Sequence, residues 1–226
     1  MKRSEINRYI RAAERFFADY QVKLPPWAHW SPAEWRGRDR EEVKGIVEVG
    51  LGWDLTDFGL GAYQTKGLLL FTVRNGLLGD PHKTYAEKIM IVGEGQVTPF
   101  HFHWKKTEDI IVRGGGNLVV ELYNSDESEG LRDDEVTVTT DGIKRTVAAG
   151  DSVVLTPGES VTLEPYLYHK FYGQAGRGTV LVGEVSTVND DNKDNRFYDS
   201  VGRFPEIEED EAPYRLLVKD YDRIWG

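Results

Sequence analysis

The sequence contains no cysteine. A disulfide framework and thiolate metal ligation are therefore both excluded, and the absence fits a reducing cytoplasm. Long apolar runs are missing too: stretches such as residues 68–73 are far too short to span a bilayer. After the basic start Met1-Lys2-Arg3, the polar residues Asn7, Arg8, Arg11, Glu14 and Arg15 interrupt anything resembling a signal peptide. Basic charge is in deficit, with 28 Lys and Arg against 38 Asp and Glu and a net charge of −10. That balance disfavours nucleic acid and anionic membranes as partners, because both require a basic surface. The expectation is a cytoplasmic protein whose partners are small molecules.

What is present suits a folded chain of 226 residues with one substantial core, 39 % hydrophobic and 12 % aromatic. Ile6, Tyr9, Ile10, Ala13, Phe16, Phe17 and Tyr20 recur at helical spacing and predict an amphipathic helix, with Ser4 as its cap and Pro25-Pro26 beyond its end. Ser31-Pro32-Ala33-Glu34 reads as a capping box opening a second helix to about Lys44. Trp27, Trp30 and Trp35 around it read as packing anchors. From Val47 the pattern changes to short β-rich segments punctuated by glycine and by Asp-Gly or Asn-Gly pairs. Strands are predicted over 46–49, 68–73, 87–92, 98–103, 109–112, 117–122, 136–139, 144–147, 152–155, 160–163, 169–172 and 179–185. Val136 and Val138 alternate with Thr137 and Thr139 before Asp141-Gly142, a hairpin signature. So many short strands point to a mainly β barrel or sandwich with helices packed outside. The acidic run 206–211 reads as a solvated loop and residues 214–225 as a docking tail.

The chemistry concentrates in His101-Phe102-His103, followed by Glu108 and later by His169. Alternate residues of a strand face one side, so His101 and His103 can point together into an interior, and Glu108 can return on the neighbouring strand. Three imidazoles and a carboxylate form a ligand set for a divalent transition metal and leave about two octahedral positions for substrate. Gly93-x-Gly95 and Gly114-Gly115-Gly116 lack the strand-to-helix context of phosphate loops and read as turns. His29 and His82 lie apart from the cluster and are not expected to be ligands.

Gly95-x5-His101-x-His103-x4-Glu108-x6-Gly115 resembles the first cupin motif, and Gly150-Asp151, Pro157-Gly158 and His169 resemble the second with a longer interval. Segments 83–88, 99–109, 162–169 and 183–191 resemble the bacterial D-lyxose isomerase family of cupins, a similarity that runs through nearly the whole chain. The resemblance implies a single cupin jelly-roll β-barrel domain over 1–226, with an N-terminal α-helical extension (1–45), a metal-binding core (about 85–190) and a C-terminal loop and tail (191–226). It also implies a cytoplasmic homodimer that prefers Mn2+, with Zn2+, Co2+ or Fe2+ as other ions, and that interconverts D-lyxose with D-xylulose and D-mannose with D-fructose. Such a reaction moves one proton between C1 and C2 through an enediolate, whose charge a metal at O1 and O2 can stabilise, and a hydride shift would use the same site.

Glu184 closes the apolar strand segment Thr179-Val-Leu-Val-Gly, where an inward carboxylate needs a partner or a task. It is read as the general base, or as a group that orients a ligand histidine. Lys105 and Lys106 lie between His103 and Glu108, so at least one should border the pocket. Lys105 is assigned to catalysis, and Lys106, Lys88, Asp190 and Arg196 to substrate binding. Phe100, Phe102, Trp104, Tyr168 and Phe171 are core or pocket wall. Three other readings remain. A cupin phosphosugar isomerase would need a basic clamp, which Lys88, Lys105 and Lys106 could supply. A non-haem iron dioxygenase uses similar ligands. A sugar-binding cupin would hold its metal without catalysis. No nucleotide or redox cofactor is implied.

Overall fold

The computed structural model describes residues 1–190 and 193–225. The chain opens with α1 (Arg3–Asp19), which buries Ile6, Ile10, Ala13 and Phe17 along one face. Lys2 rather than Ser4 is its N-cap; the Ser4 N–H and hydroxyl both donate to Asp210 in the C-terminal segment, at 2.9 and 2.8 Å. The Ser31–Glu34 capping box forms as expected, Ser31 N–H donating to Glu34 Oε2 at 2.7 Å. Its helix α2 (Pro32–Arg36) nevertheless ends early, because Gly37 follows and the charged run beyond it has too little apolar surface to pack a longer helix. Where the sequence reads as a strand over 46–49, the chain forms the short α3 (Lys44–Val47), and Ile46 and Val47 pack against the Trp35 cluster. A short apolar run fits either conformation, and here the tryptophan pocket decides.

Thirteen strands follow: β1 (Gly52–Thr56), β2 (Leu68–Arg74), β3 (Tyr85–Val92), β4 (Val97–Phe102), β5 (Glu108–Gly115), β6 (Leu118–Asn124), β7 (Val136–Thr140), β8 (Ile143–Val147), β9 (Ser152–Leu155), β10 (Ser160–Leu163), β11 (Leu167–Gly173), β12 (Val180–Thr187) and β13 (Arg196–Phe197). The expected segments from 68 onward all fall on strands; β1 and β13 are additional. The strands form an eight-stranded sheet, ordered β1-β2-β3-β12-β5-β10-β7-β8, and a five-stranded sheet, ordered β13-β4-β11-β6-β9. Every pairing between these strands is antiparallel. The β7–β8 hairpin turns at Asp141 and Gly142 with φ of 50° and 81°, the paired positive φ that Asp-Gly favours.

Between the sheets lies a core of Val92, Val112, Leu118, Val120, Leu122, Val153, Leu155, Val161, Val180 and Val182. The outer face of the larger sheet is covered by α1, which packs Ile6, Ile10 and Phe17 with Trp53, Leu55, Phe71 and Leu181. The result is a mainly β jelly roll with a helical N-terminal extension. The C-terminal segment closes over the helix. Arg3, buried to 1 % exposure, pairs with Asp220 at 2.9 Å and Glu209 at 2.7 Å, and α4 (Tyr221–Ile224) buries Tyr221 against Trp35. Among the described residues, no helix is long and apolar enough to cross a membrane.

Candidate metal centre and active site

β4 and β11 run side by side with His101 directly opposite His169. That register brings their Nε2 atoms to 3.0 Å. Glu108 begins β5 in the facing sheet, and its Oε1 lies 3.3 Å from His103 Nε2 and 3.2 Å from His169 Nε2. All four side chains are buried, and their ligand atoms lie within 4.8 Å of one another. The site thus draws ligands from both sheets.

Each imidazole is oriented by a main-chain carbonyl. His101 Nδ1 meets Pro99 O at 2.8 Å, His103 Nδ1 meets Asp194 O at 2.7 Å and His169 Nδ1 meets Leu167 O at 3.0 Å. A carbonyl only accepts, so each Nδ1 carries the proton and each Nε2 presents a lone pair to the centre. His103 Nε2 is buried without a hydrogen-bond partner. Ligands about 2.1 Å from an octahedral ion stand about 3.0 Å apart when adjacent and about 4.2 Å when opposite. The separations of 3.0, 3.2 and 3.3 Å fit the adjacent spacing, so the residues present suit a divalent ion. Burial, then the neighbouring His169 and His103, hold His101 well below the usual imidazole range; burial and Lys106 lower His103. Burial alone would raise Glu108, but the Lys106 ammonium beside it holds it well below the usual carboxylate range. Neutral imidazoles and an ionised carboxylate are the forms a metal requires.

His101, His103 and Glu108 line a cavity of about 740 Å³, counting its mouth, and His169 lies behind them. Glu184 on β12 sits opposite Lys88 on β3, and Ser186 sits opposite Glu108 on β5, so strand register assembles the polar wall. Glu184 Oε1 accepts from Lys88 Nζ at 3.1 Å, Lys106 Nζ at 3.2 Å and Ser186 Oγ at 3.0 Å. Among the described residues no hydrogen bond reaches its Oε2. Lys106 also touches Glu108 Oε2 at 2.5 Å, which leaves Glu108 Oε1 toward the histidines. Glu184 therefore lies in the cavity without touching a ligand imidazole's Nδ1, all of which are held by backbone.

Thr98 joins this wall through a bulge. Two steps on β11, His169 to Phe171, match three on β4, His101 to Thr98, so Thr98 and His101 both line the cavity although simple alternation would separate them. The Thr98 hydroxyl is buried without a partner.

Several expected residues lie elsewhere. Lys105 is exposed and borders a separate hollow with Leu78, Trp104 and Asp190, because the bend after β4 turns only Lys106 inward. Asp190 pairs with Lys193 at 3.3 Å beside that hollow. Arg196 bonds Glu129 Oε2 at 2.7 Å: β13 pairs with β4, and alternation turns Asn195 and Phe197 to the cavity and Arg196 away. Asp191 is outside the described residues. Of the flanking aromatics only Phe171 lines the cavity; Phe58, Phe197 and Phe204 complete the apolar wall. His29 pairs with Glu14 at 3.1 Å and His82 sits in a surface turn, both apart from the centre. Sequence reasoning missed Asp54 and Thr56, whose alternation with buried Trp53 and Leu55 was the available signal. It also missed Asn195, Arg203 and Asp194, for which loop sequence offered none.

A sequence model of the D-lyxose isomerase family matches residues 1–221. The chain is 54 % identical over 226 residues to the D-lyxose/D-mannose isomerase of Serratia proteamaculans, covering 99 % of each chain. It is 49 % identical over 223 residues to the D-lyxose/D-mannose isomerase of Escherichia coli O157:H7, covering 98 % of each. Among solved structures, Cellulomonas parahominis L-ribose isomerase shares the fold with a TM-score of 0.60 at 18 % identity, over 92 % of this chain and 98 % of that one. The chain belongs to the D-lyxose isomerase family.

Proposed function

We propose that the protein is a divalent-metal-dependent aldose–ketose isomerase that interconverts D-lyxose and D-xylulose, and D-mannose and D-fructose. The observation that carries this reading is that His101, His103 and Glu108 of the four-residue cluster line one cavity with Glu184. The names of the two near-full-length relatives support the substrates.

A divalent ion held by these four residues would polarise the sugar's first two oxygens and stabilise the negative charge that develops there. Glu184 Oε2 takes the proton from C2 of the aldose and returns it to C1, while the hydroxyl proton passes from O2 to O1. No electron acceptor is needed, because C2 is oxidised to a ketone as C1 is reduced to an alcohol within the same sugar. Formal charges in the polar wall cancel, Glu108 and Glu184 against Lys88 and Lys106. Lys106 Nζ fixes Glu184 through Oε1 and directs Glu108 Oε1 toward the histidines, so in this reading Lys106, not Lys105, is the lysine that serves the chemistry.

Engagement of Lys88 and Lys106 by Glu184 favours a free sugar over a phosphosugar, whose phosphate would compete for the same ammonium groups. The native ion is proposed to be Mn2+, which an all-nitrogen-and-oxygen site accommodates. The protein is proposed to act in the cytoplasm, in keeping with its lack of cysteine, and as a homodimer, as the family resemblance implies. The test is turnover of D-lyxose to D-xylulose after chelation and metal re-addition, with fructose 6-phosphate in parallel and oxygen excluded. Activity lost on chelation and restored by Mn2+ with D-lyxose is expected. No turnover with any divalent ion, or preference for the phosphosugar, overturns the reading.

A further inference from the structure

Asp194 is buried in the segment that enters β13, with no ammonium or guanidinium within salt-bridge distance among the described residues. Its Oδ1 accepts the Lys105 N–H at 3.0 Å and its Oδ2 accepts the Lys106 N–H at 3.1 Å, so two successive amides cradle one carboxylate. Its own carbonyl accepts the His103 Nδ1–H at 2.7 Å. One residue therefore grips both ends of the bend between β4 and β5, the ligand imidazole on one side and the Lys106 backbone on the other. A buried carboxylate satisfied only by backbone amides is costly to desolvate, and its position fixes where those amides sit. The next residues are anchored on alternate faces. Phe197 lies 5.3 Å from the His101 ring, while Arg196 outside bonds Glu129.

We propose that Asp194 is a positioning residue that locks His103 and Lys106 into one unit. Its carbonyl fixes the imidazole tautomer and its carboxylate fixes the backbone from which Lys106 reaches Glu108 and Glu184. It touches no substrate and acts through these two side chains. The kinetic part of the test rests on the isomerase reading; the metal-binding part does not.

The experiment compares the full chain with Asp194→Ala, Lys106→Met and the double variant. Mn2+ affinity is measured by chelator competition, and kcat and KM for D-lyxose on metal-saturated protein. Asp194→Ala is expected to weaken Mn2+ binding about 10-fold and to lower kcat about 10- to 100-fold, with KM within about threefold. In the Lys106→Met background the same change is expected to cost less than about threefold in kcat, because the side chain it positions is already gone. A residue that merely stabilised the fold would multiply the two losses. Multiplied losses, or Asp194→Ala with wild-type affinity and kcat, overturn the proposal. If the unaltered protein turns over no D-lyxose with any divalent ion, the isomerase reading falls. Affinity then decides Asp194 alone: about 10-fold weaker binding supports it and unchanged binding overturns it. Should Asp194→Ala show no cooperative unfolding transition, Asp194→Asn replaces it; it keeps one acceptor and is expected to lose about 3- to 10-fold in kcat, with no loss overturning the proposal.

Discussion

Thr98 illustrates how one residue's role escapes strand periodicity. The bulge in β4 turns its side chain to the cavity, where its hydroxyl has no protein partner. Thr98→Val removes that unpaired group and is expected to raise stability by about 1 kcal/mol in urea unfolding; a loss of similar size would show that the hydroxyl is partnered in the folded protein. The clustering of the candidate ligands was legible because His101 and His103 lie two apart and Glu108 opens the next strand, so spacing alone aims all three. Glu184 was legible as a carboxylate within an apolar strand. The choice between Lys105 and Lys106 was not: both lie on a bend, where no period tells inside from outside. The outward placement of Arg196 was hidden for the opposite reason. Its two-residue strand obeys alternation, but nothing in the loop sequence announced the strand.

At the scale of elements, what sequence left open was decided by distant partners. From Trp53 to Thr56 buried and half-buried residues alternate, yet Gly52–Thr56 becomes a strand because β2 pairs with it and α1 covers Trp53 and Leu55. The 44–47 helix replaces an expected strand because the Trp35 pocket lies beside it. The C-terminal tail docks as its aromatic and aliphatic content suggested, but the clamp that holds it, Arg3 with Asp220, joins residues at opposite ends of the chain and has no local signature. Arg3→Met leaves Asp220 buried and unpaired and is expected to cost about 3–5 kcal/mol, read by chemical denaturation. Acid should loosen the same junction. Burial alone would raise Glu14, but Tyr214, His29 and Arg215 depress it below its ordinary value of 4.5, and the Arg3 hydrogen bond, opposed by burial, depresses Glu209. A depressed carboxyl contributes stability that is present above the unfolded value and lost as pH falls through the lower folded value. Hydrogen-exchange protection in residues 206–221, relative to the intrinsic rate, should therefore fall below about pH 4.5, before that of the core amides; simultaneous loss of protection would contradict a separately held tail.

For the whole molecule, the candidate centre bridges the two sheets, with His101 and His169 on one and Glu108 on the other. An ion bound there would consequently link metal binding to folding. At an ion concentration 100 times its Kd, unfolding should cost about 2.7 kcal/mol more than after chelation, seen as a raised Tm; a melt indifferent to divalent ions would contradict the metal site. The mainly β architecture was legible from segment length and turn residues, whereas the sheet order, built from contacts far apart in sequence, was not. The central claim is that metal and base are separate parts of one site, and Glu184→Gln tests it most directly. Metal content and the rate of D-lyxose conversion to D-xylulose are measured on the same preparation. Full metal occupancy with a rate lowered about 100- to 10,000-fold is expected, and full occupancy with an undiminished rate would contradict the account.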